Sequence, residues 1–287
     1  MNECAQLERP CAAIDFGISN TDVVAFVEGE QRVWSQPAAG DPSPESVRAL
    51  LASHGVALAD LDHLAVTGGR HRLLPEQING TPVVSVGELA AISRGGQAMA
   101  GLTTATLDTP LVVVSAGSGT AIMAAQGDDY QHVTGSGVGG GTMLGLARLL
   151  LGVVDPREID ALALAGDANG VDLALRDVVM GPIGSLPPET TAVNFGRLGR
   201  EAFTPKQTDL AAAIVTMVGQ VVGTLAINAA RARQIDRVVV IGHMTDMASV
   251  RAVLEQVGGF FGLSLTLPPH TGYATALGAL LYAAGHT

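Results

Sequence analysis

The stretch Ala12-Ala13-Ile14-Asp15-Phe16-Gly17-Ile18-Ser19-Asn20 recurs in outline as Leu111-Val112-Val113-Val114-Ser115-Ala116-Gly117-Ser118-Gly119-Thr120. Each copy runs an apolar strand straight into a turn of small residues, and each turn leads into further strand, helix and strand signals. In the first copy these are strands at 23–27 and 32–35, a helix at 44–54, and a strand at 63–66 that ends in Thr67-Gly68-Gly69. In the second they are strands at 121–125 and 131–134 and a helix at 141–151. An insertion rich in Gly, Pro and Asp follows at 153–205, then a helix at 209–232 and a strand at 237–241 that ends in Gly242. Two copies of one strand-rich unit predict an α/β fold of two facing lobes, residues 1–108 and 109–287, with a ligand cleft between them.

Composition narrows what the cleft can hold. The chain has 287 residues, 47% of them hydrophobic, enough for a substantial core. Sixteen Lys and Arg face 27 Asp and Glu, and a net charge of −11 argues against a nucleic-acid partner. Aromatics make up only 3%, whereas there are 36 glycines, which suits tight backbone turns near a ligand rather than stacking platforms. The two cysteines, Cys4 and Cys11, have neither disulfide-framework nor zinc spacing, and no secretory signal is visible, so a cytoplasmic location is expected. Residues 211–230 carry no charge and hold Gly219 and Gly223 at GxxxG spacing. Their alanine-rich content, with Thr216, Gln220, Thr224 and Asn228, favours a buried helix over a membrane span. Thr208 is its expected N-cap.

The chemistry is expected at the glycine turns. A turn built from glycine lets backbone N–H groups approach an anion, and Ser or Thr hydroxyls add donors, so Gly17, Ser19, Asn20, Gly117, Ser118, Gly119 and Thr120 are candidate phosphate ligands. Asp15, at the end of a buried strand, is placed to hold Mg²⁺ through water. The alternative for either turn is an ordinary hairpin. A third cluster, Gly135-Ser136-Gly137-Val138-Gly139-Gly140-Gly141-Thr142, feeds a helix N-terminus, and Gly139, Gly140, Gly141 and Thr142 join the candidate anion site, with a flexible linker as the alternative. It matches neither GxGxxG nor GxxxxGKS, so Rossmann and P-loop readings are not supported. Glu88, an isolated acid among apolar neighbours at a strand-to-helix junction, is a candidate general base if burial raises its pKa; the alternative is a carboxylate stabilised by the helix dipole.

Taken in order, these motifs resemble the type II pantothenate kinases of the actin, hexokinase and heat-shock ATPase superfamily. The resemblance spans nearly the whole chain. It rests on Asp15-Phe16-Gly17, Val66-Thr67-Gly68-Gly69, Gly87-Glu88-Leu89, Gly117 through Thr120, Val133 through Leu146, Asp172-Leu173, Asn194-Phe195-Gly196, Ile241-Gly242 and Gly272 through Ala279. It implies RNase H-like lobes in a homodimer that transfers the γ-phosphoryl of MgATP to the primary hydroxyl of pantothenate, for coenzyme A synthesis. It further implies Asp15 near Mg²⁺, Glu88 as base, the turns and glycine triplet as the ATP cradle, and Gly242 beside the adenosine. Ser118 and the positions of Ala121 and His132 would serve the substrate.

Three places depart from the family pattern. In the first turn Ile18, Ser19 and Asp22 replace a Gly-Thr pair and a lysine. An arginine before Val133 is His132, and a serine of the second turn is Ala121. Imidazole cannot reproduce a bidentate grip on a carboxylate. A paralogous kinase for another alcohol, and a nucleotide-binding protein without transfer activity, stay open beside pantothenate kinase.

Overall fold

The structure is a computed structural model describing residues 9–181, 183–184 and 186–286; Cys4 lies outside them. The first sheet holds β1 (Cys11–Phe16), β2 (Asn20–Val27), β3 (Glu30–Pro37), β4 (His63–Gly68), β5 (Gln77–Ile78) and β6 (Thr81–Ser85), in the order β3-β2-β1-β4-β6-β5. The chain then forms β7 (Leu111–Ala116), β8 (Thr120–Gln126) and β9 (Asp129–Ser136), a ribbon of β10 (Leu173–Ala174) and β11 (Thr191–Val193), and finally β12 (Val238–Ile241) and β13 (Leu265–Thr266). The second sheet runs β9-β8-β7-β12-β13. The first three strands are antiparallel and the next two join in parallel in both sheets, so the repeat expected from sequence is a repeat of topology.

Eight helices of the described residues cover these sheets: α1 (Pro44–Ala52), α2 (Glu88–Met99), α3 (Gly140–Leu151), α4 (Pro156–Leu164), α5 (Leu175–Val178), α6 (Gln207–Arg233), α7 (Ala248–Phe261) and α8 (Ala274–His286). Local chemistry sets several starts. Ser43 caps α1 in a reciprocal box with Ser46, and Asp155 caps α4 ahead of Pro156. The expected Thr208 cap is not formed: α6 starts at Gln207 behind Lys206, without a side-chain cap, and Thr208 lies in its first turn. α6 is long and apolar enough to cross a membrane, yet most of it is buried against α3, α4 and α7. Its GxxxG pair has a packing reason, because a Cβ at Gly219 or Gly223 would come within 2.7 and 2.9 Å of Val253 and Val257 of α7.

Strand alternation sorts the core into layers. Ala12 and Ile14 of β1 pack toward α1, whereas Cys11 and Ala13 face α8. Val112 and Val114 of β7 pack toward α3, α6 and α7, whereas Val113 faces α2. The inner helices are therefore exchanged: α2, from the first copy, covers the second sheet, and α8, from the second copy, covers the first. They cross where Gly95 meets Gly278, so closely that a Cβ on Gly278 would lie 1.9 Å from the Ala91 carbonyl oxygen. Gly68 and Gly242 end the equivalent strands with φ of +93° and +111°, and a Cβ there would strike the carbonyls of Phe16 and Ala116 respectively.

The insertion is organised around Asp172, whose buried carboxylate accepts from the Phe195 amide at 2.7 Å and the Thr191 hydroxyl at 3.1 Å. The motifs at 172 and 194–196 thus serve the scaffold. Arg70, Arg72 and Arg94 are expected from sequence to face solvent; Arg70 and Arg72 are exposed, but Arg94 is buried in α2 beside Tyr130.

Candidate active site

Between the two sheets lies a cavity of ≈ 380 Å³ into which both repeated turns open. Asp15, Gly17, Ser19 and Asn20 line it from the first copy, and Gly117, Ser118, Gly119 and Thr120 from the second; Glu88, Ala121, Gly140 and Gly242 complete the predicted set on its wall. The turns face each other closely enough for the Ser19 and Ser118 hydroxyls to share a hydrogen bond of 2.8 Å.

The glycine triplet meets the second turn rather than presenting all its amides to the cavity. The Gly140 and Gly141 N–H groups donate to the Gly117 and Ser118 carbonyls at 2.8 and 2.9 Å. A Cβ on Gly139 would lie 2.8 Å from Gly119, so the absence of side chains lets α3 dock end-on against the turn. Gly139, Gly141 and Thr142 stand behind the wall, with the Thr142 hydroxyl donating to the Gly137 carbonyl. Thr120 also donates its hydroxyl inward, to the Val138 carbonyl at 2.8 Å.

Three carboxylates face this space. Asp15 and Asp22 are direct partners across β1 and β2 and share the inner face, and Glu88 opens α2 behind Gly87. Burial pushes the Asp15 carboxyl up to about 7, the charges of Asp22 and Glu88 push the same way, and His243 opposes them. Glu88 itself is exposed to the cleft, so the burial expected from its neighbours is not found; it stands in the first turn of α2, where the dipole favours an anion. No cluster of three or more metal-binding side chains exists among the described residues. An ion at Asp15 would be held mostly by water and phosphate, which suits Mg²⁺.

His132 is exposed on the edge strand β9 and off the cavity wall, although its ring leans toward Gly135, which pairs with Ala121. Several wall residues were not singled out in the sequence, although the resemblance implied that the residues after Gly242 approach the adenosine. Met143, Leu144, Pro156, Met244 and Met247 give the cavity an apolar end where α3 and α4 start. His243 lies against Asp22, its Nε2 2.9 Å from Oδ1, and Asp246 is 3.5 Å from Nδ1; these hydrogen bonds raise its pKa to about 10. Met143 sits within the motif that follows the glycine triplet, and Met244 and Met247 follow Gly242. His243 had no local signal, since its partner is 221 residues away.

Comparisons with known proteins give the family and the fold. The Fumble family model matches residues 94–282. A type II pantothenate kinase of Staphylococcus aureus strain USA300 is 30% identical over 232 residues, 77% of this chain and 82% of that protein. That of Bacillus cereus strain ATCC 14579 is 24% identical over 225 residues, 78% of this chain and 82% of the relative. Among solved structures, the activator of 2-hydroxyisocaproyl-CoA dehydratase from Clostridium difficile with bound ADPNP aligns with a TM-score of 0.64 at 15% identity, covering 96% of this chain and 95% of that one. A ROK hexokinase from Thermus thermophilus aligns with a TM-score of 0.56 at 14% identity, covering 96% and 99%. The fold is thus that of the actin and hexokinase-type ATPases, and the match along most of its length makes this chain a member of the Fumble family, the type II pantothenate kinases.

Proposed function

We propose that the protein transfers the γ-phosphoryl group of ATP to the primary hydroxyl of pantothenate. The observation that carries this reading is the meeting of both phosphate turns, Asp15 and Glu88 on one cavity wall. The turns hold the triphosphate, the methionine-lined end beside Gly242 takes the adenosine, and the acceptor hydroxyl lies between Glu88 and the γ-phosphate. Glu88 accepts the hydroxyl proton as the oxygen attacks phosphorus, and ADP leaves with the electron pair of the broken P–O bond. Bound Mg²⁺, held through water by Asp15, would supply positive charge to the phosphates. Positioning provides much of the rate.

The same reading divides the chain into lobes 1–108 and 109–287 and pairs two copies. Support for pairing is apolar surface on and after α3, where Leu149, Leu164 and Met180 are exposed. The reading also places the protein in the cytoplasm, and Cys11 of β1 is buried in the first lobe. One observation favours a second reading, phosphorylation of a different alcohol. Ala121 offers no hydroxyl on the cavity wall, and His132 stands off it. An ADP-release assay with pantothenate, pantetheine, pantoate and sugars tests both. Turnover with pantothenate supports the first, turnover with another alcohol only supports the second, and ATP binding without turnover sinks both.

A further inference from the structure

We propose that the cleft accepts purine nucleotides as a class, ATP being one phosphoryl donor among them, because the base rests on an apolar wall that does not read its polar edge. This rests on the kinase reading, in which that wall takes the adenosine.

Met143 and Leu144 reach the wall from the start of α3, Pro156 from the start of α4, and Met244 and Met247 from the turn after β12. Met244 packs on Gly140, where a Cβ would stand 3.3 Å from its Cγ and 3.7 Å from its sulfur, so the surface is continuous from α3 to that turn. None of these five side chains carries a strong hydrogen-bond donor or acceptor.

The backbone at this end is engaged as well. The Met143 N–H donates to the Gly139 carbonyl at 3.0 Å, the Gly140 N–H to the Gly117 carbonyl at 2.8 Å, and the Met247 N–H to the Met244 carbonyl at 3.3 Å. The Gly242 N–H donates to the Thr271 hydroxyl at 2.9 Å, and the Gly242 carbonyl accepts from both the amide and the hydroxyl of Thr245. Pro156 has no N–H to give. Asp160 of α4 stands off the wall and caps α7, accepting from the Ala248 and Ser249 amides and the Ser249 hydroxyl.

Adenine, hypoxanthine and guanine share a fused ring face and differ at the edge, in which positions donate and which accept. A wall that offers only area and dispersion gains equally from each of them. Strong discrimination needs a buried polar group that the wrong base leaves unpaired, and the groups named above are already paired. Three thioether side chains also adjust to a changed outline, as the 2-amino group of guanine requires. A pyrimidine has one ring and covers less of the wall, so the class ends at the purines.

The test is calorimetric binding of the Mg²⁺ complexes of ADP, IDP, GDP and UDP to the full chain, beside transfer from ATP, ITP and GTP to the alcohol panel. IDP carries the edge of guanine without its extra amino group and so isolates the edge from the outline. Affinities for ADP, IDP and GDP should agree within about ten-fold, and UDP should bind more weakly than all three. A wider gap between ADP and either of the other purines overturns the proposal, as does UDP binding that matches them. Met247→Ala removes contact area from any base and should weaken ADP and IDP by the same factor, about five-fold or more. An unchanged affinity in the folded variant, or a loss confined to ADP, also overturns the proposal; the wild-type comparison needs no variant. A protein that binds the diphosphates but phosphorylates no alcohol overturns the kinase reading and leaves the comparison of bases standing, whereas one that binds none of them overturns both.

Discussion

The hydroxyls of Ser19 and Ser118 lie 2.8 Å apart across the cleft, one from each copy of the repeated turn. Asp15 and Ser115 hold matching places on β1 and β7, so one copy carries a carboxylate where the other carries a hydroxyl. A triphosphate entering between the turns replaces the serine pair with contacts to its own oxygens. The repeat thus builds one asymmetric site from two similar halves.

Replacing Ser118 with Ala removes a donor from the second turn without disturbing the amides beside it. The KM for ATP should rise by about 5- to 10-fold, the equivalent of one hydrogen bond of ~1 kcal/mol, with a smaller change in kcat. Steady-state kinetics at varied ATP checks this; an unchanged KM removes Ser118 from the phosphate cradle.

Glu88→Gln keeps the shape of the side chain and abolishes its basicity. Turnover should fall by roughly 10²- to 10⁴-fold while ATP binding persists. The reading fails if the variant, assayed by ADP release, keeps most of its activity.

The Asp15 carboxyl has its pKa raised from 3.8 to about 7, so in the ligand-free protein it binds a proton more readily folded than unfolded. Its contribution to stability is fully present below about pH 3.8 and is lost as pH rises through about 7. Asp15→Asn should therefore raise the thermal midpoint relative to wild type at pH 8 but not at pH 4, while Mg²⁺-dependent turnover disappears. Equal shifts at the two pH values would contradict the assignment.

At the crossing of α2 and α8, Gly278→Ala places a methyl group on backbone atoms that cannot yield. The loss should exceed ~3 kcal/mol by urea denaturation. Gly145→Ala, on an exposed turn of α3 with open space around it, should instead stabilise by about 0.5–1 kcal/mol.

Ala121 pairs with Gly135, toward which the His132 ring leans. Combining Ala121→Ser with His132→Arg introduces a hydroxyl at that rung and a two-pronged cation beside it, at the residue paired with Met123. The KM for pantothenate should fall by about ten-fold or more if these two positions govern acceptor choice. No improvement across the alcohol panel would move that choice elsewhere on the wall.

Strand periods, turn glycines and the long apolar helix are local patterns, and they locate β1 through β4, β7 through β9, α3 and α6 to within a few residues. α8 offers little amphipathic contrast because it is buried on several sides and rich in small residues, and α2, which starts at the junction marked by Glu88, is interrupted by Gly95 and Gly96. Nor does any local pattern tell α8 to cover the first sheet. The site divides the same way. Asp15, Glu88 and both turns announce themselves by their position at strand ends, whereas the pairing of Asp22 with His243 and the use of the Gly140 and Gly141 amides by the second turn exist only in three dimensions.

The traded positions of α2 and α8 bear on how such a chain could arise. A lone copy of the unit would leave the inner side of its own sheet bare, because the helix that follows its last strand reaches away to cap a neighbour. Two identical units, each lending its arm to the other, would satisfy the same packing, so the smallest self-sufficient form of this architecture is a pair.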